Sequence, residues 1–343
     1  MRKLILPLVI LLLLVLLFVV AAPVMAQSPA PQLPADDATR IREFYRLLPE
    51  IQDKVWPNWS AAPAPLLLVT AGTEFLTHYE APPADFKKIG EDLYARPRQF
   101  GTSMQATFPA FGETSVIVIG EPQNTLSKTS TPWLATLMHE HFHQLQNGRP
   151  GYFAAVGALG LSHGDTSGMW MLNYPFPYGK PEAVQGFAHL RDLLLMTLNA
   201  GDDKEFARLA GQYAEQRKKF FAQFSSDDHK YLSFQLWNEG VARYIQIKSA
   251  EAAAQHQATP EYAGLADYES FAAYAGQARK DTLDELKQAD LAKWKRVVVY
   301  SFGAVECLLL DRLNPGWKDQ YFKQMLSTDS YFAALPEKTL RER

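Results

Sequence analysis

Cysteine is all but missing from this 343-residue chain, with Cys307 the only one. A lone thiol can close no intramolecular disulfide and build no thiolate zinc cluster, so a metal would have to be held by histidine and carboxylate. Its setting in the apolar run SFGAVECLLL marks Cys307 as a buried core thiol. An excess of basic charge is also absent. The 34 Lys and Arg stand against 37 Asp and Glu, a net of −3, and no basic patch calls for nucleic acid. No internal repeat of helical-pair length is evident. With 47% hydrophobic residues the composition is that of an ordinary globular protein and excludes a disordered chain.

Long apolar runs are missing everywhere except at the start. Arg2 and Lys3 precede an apolar run over residues 4–22, and Val24-Met25-Ala26 before Gln27 has the small residues of a cleavage site. Residues 1–26 therefore read as an export signal, with an uncleaved anchor through residues 4–22 as the alternative, and membrane contact is expected only in that second case. Removing Arg2 and Lys3 from the 34 basic residues leaves 32 against 37 acidic ones, a net of −5. An exported chain without disulfides fits a bacterial periplasmic or secreted protein.

Residues 27–36, rich in Pro and Ala, form a spacer. Residues 37–147 read as a mixed α/β part. Ile41, Phe44, Tyr45, Leu48 and Ile51 recur at helical intervals, so a helix to about Val55 is expected, ended by Pro57. Strands are expected at 66–70, 104–108 and 115–119, the last two as a hairpin, with a helix over 86–94 between the first strand and that hairpin. Residues 148–226 carry a long aromatic segment, 152–180, and helices at 182–198 and 204–224. Residues 227–343 form a helical part, with helices at 229–254, 268–277, 291–313 and 317–326. The fold class is α+β, predominantly helical, with a small N-terminal sheet and a helical C-terminal part.

The chemistry sits in residues 131–148, TPWLATLMHEHFHQLQNG. Thr131 is the expected cap, Pro132 suits the first turn, and Asn147 and Gly148 supply the stop. His139 and His143, four apart on a helix, present their rings one above the other on one face and make a two-nitrogen clamp for a cation. Glu140 lies at the edge of that face, placed to take a proton and poorly placed to be a ligand. His141 points away from it. A hydrolytic zinc site takes three protein ligands. The third is expected to be Glu239, in LWNEGVARY, on a helix capped by Asp228. Leu232, Leu236, Glu239, Gly240, Arg243 and Ile247 form one stripe, which buries the Glu239 carboxylate and calls for a counter-charge. The bland alternative is an ion pair of Glu239 with Arg243, one turn on. His163 or Asp165 is the fallback ligand. Gly240 costs about 1 kcal/mol in mid-helix, tolerable where two helix backbones approach closely.

HEHFH followed by WNEGVARY resembles the gluzincin metallopeptidases, in which a glutamate on a second helix completes a His, His, Glu zinc site. The resemblance implies that His139, His143 and Glu239 bind one Zn2+, that Glu140 is the general base, and that the substrate is a peptide or protein. It implies a zincin-like architecture in which an edge strand lines the cleft above the motif helix, with residues 115–119 as that strand. The match covers only these two stretches. Ninety-five residues separate His143 from Glu239, far more than in thermolysin-like enzymes or the alanyl aminopeptidases, which makes residues 148–226 an insertion. The aminopeptidases' G-x-M-E-N run has no counterpart, and Arg243 stands where thermolysin-like enzymes carry an aspartate. An oxyanion donor is also needed. Tyr244, His163, His229 and Tyr300 are the candidates, with Tyr244 first for its nearness to Glu239 in the chain. Two other classes stand beside the peptidase: a zincin-like metal-binding protein without catalysis, and a helical envelope interaction protein without metal.

Overall fold

The computed structural model describes residues 31–333. The signal segment 1–26, its alternative as an anchor through 4–22, and residues 27–30 of the spacer lie outside the described residues. Among the described residues no helix is long and apolar enough to cross a membrane.

Six strands form the sheet: β1 (Leu66–Val69), β2 (Thr73–Thr77), β3 (Lys87–Gly90), β4 (Leu93–Pro97), β5 (Gln105–Phe108) and β6 (Val116–Gly120). Their order is β3-β4-β2-β1-β6-β5. The runs LLLV and VIVIG, β1 and β6, pair in parallel with Leu66 opposite Ile117, and the other pairings are antiparallel. Strands apolar at every position need cover on both faces. Leu66, Leu68, Ile117 and Ile119 face the helical core, while Leu67, Val69, Val116 and Val118 are covered by Phe86, Phe100, Phe108 and Phe111.

The expected hairpin of 104–108 and 115–119 forms, as β5 paired with β6. The helix expected over 86–94 does not. FKKIGEDLY makes the β3–β4 hairpin instead, because β4 completes the ladder of β2, pairing Phe75 with Ala95. Tertiary pairing overrides the helix-forming lysines and acids of that stretch. Residues 115–119 are also not an edge: β6 lies between β1 and β5, and β5 is the edge strand on that side.

Helices cover one face of the sheet. α1 (Ala35–Val55) buries Phe44, Leu47, Leu48 and Ile51 and ends just before Pro57, as its periodicity demands. The motif helix is α2 (Ser130–Asn147). Its cap position falls on Thr129, in extended conformation, and not on Thr131, whose hydroxyl instead donates to Glu269 O. Pro132 still lies in the first turn, where no helical N–H is required. After α2 come α3 (Tyr152–Ala158), α4 (Trp170–Asn173), α5 (Pro181–Leu198) and α6 (Asp203–Ala222). The aromatic segment packs rather than hangs free: Trp170 stacks on Phe234 at 5.7 Å, Tyr174 on Tyr231 at 4.3 Å and Tyr152 on Trp237 at 6.1 Å.

The helix expected at 229–254 has three pieces: α7 (Ser226–Gln235), a π turn (Leu236–Gly240) and α8 (Val241–Ala253). Ser225, not Asp228, caps it, accepting the Asp228 N–H at 3.2 Å. Beyond it lie α9 (Pro260–Ala263), α10 (Phe271–Gln288), α11 (Leu291–Trp294), α12 (Val298–Leu313), α13 (Trp317–Gln320) and α14 (Asp329–Ala333). One hydrophobic core runs from Ile41 to Phe332 and includes Cys307, whose thiol burial pushes well above its usual value. The π turn crosses α12 where glycine meets glycine. A Cβ on Gly240 would sit 2.7 Å from Gly303 Cα. The close approach that justified Gly240 is real, and it needs a second glycine that the sequence did not single out.

Candidate metal centre

The α-helical rise brings His139 and His143 together as their spacing requires, with their Nε2 atoms 3.1 Å apart. Glu239 arrives from the π turn. Its Oε2 lies 3.6 Å from His139 Nε2 and 3.4 Å from His143 Nε2. The three donor atoms are within 4.8 Å of one another. Both histidines are buried and Glu239 is nearly so.

Hydrogen bonding fixes one tautomer. His143 Nδ1 is 2.6 Å from Gln146 Oε1. The Gln146 amide nitrogen is committed to donors' work, reaching Tyr321 Oη at 2.6 Å, Asn238 O at 3.2 Å and Trp237 O at 3.4 Å. The oxygen facing His143 is therefore an acceptor, Nδ1 carries a hydrogen, and in the neutral ring Nε2, the nitrogen facing Glu239, is the one with a lone pair. A buried carboxylate between two imidazole rings attracts positive charge. Burial alone would lower the His143 pKa, but the Glu239 carboxylate overrides it, with help from Glu140 and Gln146, and raises it to about 9. Burial would raise Glu239, yet His143 and His139 hold it well below the usual carboxylate range. A His, His, Glu donor set without thiolate fits zinc.

Glu140 is buried against the sheet edge, where Thr107 of β5 donates its hydroxyl to Glu140 Oε2 at 2.8 Å and to the Glu140 carbonyl at 2.9 Å. α12 and the turn before it also reach the cluster. The Tyr300 ring stacks over His139, centroids 6.2 Å apart. Its hydroxyl oxygen accepts from Arg296 at 3.1 Å, and burial and Glu239 raise its pKa. Arg296 also donates to Gln235 Oε1 at 3.2 Å and lies 3.6 Å from Glu239 Oε1.

No family model, curated protein or solved structure matches this chain.

Of the four residues considered as oxyanion donors, only Tyr300 reaches the cluster. Tyr244, the first choice, is turned away and donates to both oxygens of Asp311, at 2.9 and 2.8 Å. Five residues from Glu239 across a π-to-α change is the wrong face. His229 pairs with Asp329 at 2.8 Å. His163 is exposed in the aromatic segment at φ +47°, and Asp165 is occupied with Ser167 and the Trp170 N–H, so neither fallback ligand joins the cluster. Arg243 pairs with Glu285 at 3.3 Å, leaving Arg296 as the guanidinium beside Glu239. His141 is, as expected, on the other face: it stacks on Trp59 at 5.2 Å, is bonded to Gln144 at 2.8 Å, and burial lowers its pKa to about 4. Arg296, Thr107 and Gln146 went unnoticed in the sequence. Only Gln146, three residues after His143 in H-x-x-Q, carries a local signal.

Proposed function

We propose that this protein is a zinc-dependent metallopeptidase that hydrolyses peptide bonds in peptide or protein substrates. The observation that carries it is the convergence of His139, His143 and Glu239 within 4.8 Å, beside a Glu140 carboxylate held at the edge of a sheet. His139, His143 and Glu239 would hold one Zn2+, which when bound supplies Lewis-acid polarisation of a carbonyl and acidifies water.

The chain's own residues do the rest. Thr107 fixes Glu140 through Oε2, leaving Oε1 to take the proton of the attacking water and pass it to the leaving amine. Tyr300, whose oxygen already accepts from Arg296, has its O–H free to donate to the developing oxyanion. The edge of β5 offers main-chain groups to an extended substrate. On this reading the architecture is zincin-like, with β5 in the role expected of residues 115–119. Residues 1–26 would direct export to the periplasm or medium.

The test begins with the zinc content of the purified protein, then compares wild type with Glu140→Gln on unstructured polypeptides. Zinc retained with hydrolysis lost supports the peptidase. Hydrolysis unchanged by Glu140→Gln removes Glu140 from its role. Zinc without hydrolysis in wild type favours a metal-binding protein that does not catalyse, and no zinc at all leaves the helical interaction protein.

A further inference from the structure

A buried glutamine stands at the seam between the two ligand-bearing helices. Gln146 is fully excluded from solvent on α2, one turn beyond His143. Its oxygen faces His143 Nδ1 at 2.6 Å, while its nitrogen reaches the carbonyls of Trp237 and Asn238, the two residues directly before Glu239. Tyr321 completes the junction, accepting from Gln146 and donating to Trp237 O, both at 2.6 Å. These carbonyls belong to the π turn, where the Val241 N–H is shared between Leu236 O and Asn238 O. π turns interrupt the regular ladder, and here side chains of other elements supply hydrogen bonds to the turn.

We propose that Gln146 is a positioning residue for the metal centre, gripping the ring of one ligand and the backbone that carries another, so that His143 and Glu239 are set in one register. The proposal rests on the zinc reading above. An amide suits the task because it joins one acceptor and two donors in a rigid plane. The acceptor selects the His143 tautomer whose Nε2 lone pair faces Glu239, and the donors hold the turn from which Glu239 springs. His139 has no comparable partner, its Nδ1 being buried without a hydrogen bond among the described residues, so the coupling runs through His143.

The same helix supplies a control. Gln144 is equally buried, faces His141 Nδ1 at 2.8 Å with its oxygen, and donates to Pro65 O at 2.9 Å and Ser115 O at 3.0 Å. It is the same chemical device, but it ties α2 to the sheet and serves a histidine outside the cluster. Loss of either amide costs comparable packing and hydrogen bonding, and only one loss touches the ligands.

The experiment titrates zinc into the metal-free protein against a chelator of known affinity, for wild type, Gln146→Met and Gln144→Met, with melting temperature measured alongside. Outer partners of metal ligands are worth about 10–100-fold in affinity, so Gln146→Met should bind zinc about that much more weakly while Gln144→Met stays within about threefold of wild type. Equal losses in the two variants, or none in Gln146→Met, overturn the proposal. Should Gln146→Met fail to fold, Tyr321→Phe decides: it removes one hydroxyl from the junction, and an affinity unchanged from wild type overturns the coupling. A wild type that takes no zinc refutes the metal reading itself, a result distinct from a wild type that binds zinc with no help from Gln146.

Discussion

Replacing Gly303 by alanine tests how the third ligand is brought into place. The new Cβ would lie 2.6 Å from Gly240 Cα, a backbone atom that no side-chain rotation can move aside. Carbon atoms rest comfortably at about 3.5–4.0 Å, so α12 and the π turn must part by about 1 Å. Overpacking of this kind costs about 1–3 kcal/mol, and a backbone contact belongs at the upper end. Alanine regains about 1 kcal/mol over glycine in a helix interior. The net loss is about 2 kcal/mol, or about 3 °C in melting temperature for a body of about 300 residues, since the unfolding entropy scales with length. Zinc should suffer more than stability. Ligand distances are held to about 0.2 Å, and a turn displaced by several times that withdraws Glu239 from the histidines. The assay is thermal unfolding of the metal-free protein together with zinc affinity. A Gly303→Ala protein that melts at or above the wild-type temperature and binds zinc with undiminished affinity would show that the crossing is not what sets Glu239.

The remaining expectations concern other parts of the chain. His256 is buried between Glu43 at 2.9 Å and Glu50 at 2.7 Å; burial would lower its pKa, but the two carboxylates raise it, while His256, Arg46 and Thr259 overcome the burial of Glu43 and lower that group to about 2. The raised histidine stabilises the fold fully below its unfolded pKa near 6.5 and loses that contribution as pH climbs through the folded value; the depressed Glu43 contributes above about 4.5 and loses it on acidification toward 2. Urea unfolding should therefore show their joint contribution greatest between about pH 4.5 and 6.5, and His256→Gln should remove the fall on the alkaline side. If both proteins lose stability in parallel above pH 6.5, the pair is not its source. Arg217, buried against Glu306 at 2.6 Å and Asp329 at 2.6 Å, leaves uncompensated acids when changed to Met, so Arg217→Met should cost about 3–5 kcal/mol in denaturant unfolding, and a loss under 1 kcal/mol would contradict the network. Tyr244→Phe removes a hydrogen bond to the Asp311 carboxylate and should cost about 1.5–3 kcal/mol while leaving zinc affinity and hydrolysis intact; a rate falling by more than tenfold would return Tyr244 to the site.

The parts of the fold that were legible are those governed by local periodicity. α1 and α2 follow from apolar residues at helical spacing, and β1, β5 and β6 from short β-favouring runs. The meeting of Glu239 with the histidines could be anticipated because a buried carboxylate on an apolar stripe demands a counter-charge. What was illegible depended on partners distant in sequence. FKKIGEDLY has no intrinsic reason to be a hairpin until β2 offers its ladder, and TEFLT was itself passed over because it is short and begins with polar residues. Thr131 and Asp228 are each chemically suited to cap, yet the caps fall two and three residues earlier, at Thr129 and Ser225. Nothing in spacing announces that Arg296 rather than Arg243 stands beside Glu239, since chain neighbours on a helix are separated by direction as well as by distance.

The π turn has a consequence for changes in chain length. A π turn holds one residue more than the α-helical turn it replaces, so deleting one residue within Leu236–Gly240 would restore the regular ladder and leave α8 facing as it does now. Val241, Ala242, Ile245 and Ile247 would keep the core they fill, whereas the same deletion inside α7 or α8 turns every later residue by about 100°. The turn is thus the one place in this long helix where length can change without turning the faces beyond it, although the acid it carries would shift. A survey of viable deletions along residues 226–253 should find tolerance at this turn and at the two ends, and a gap in the regular turns between.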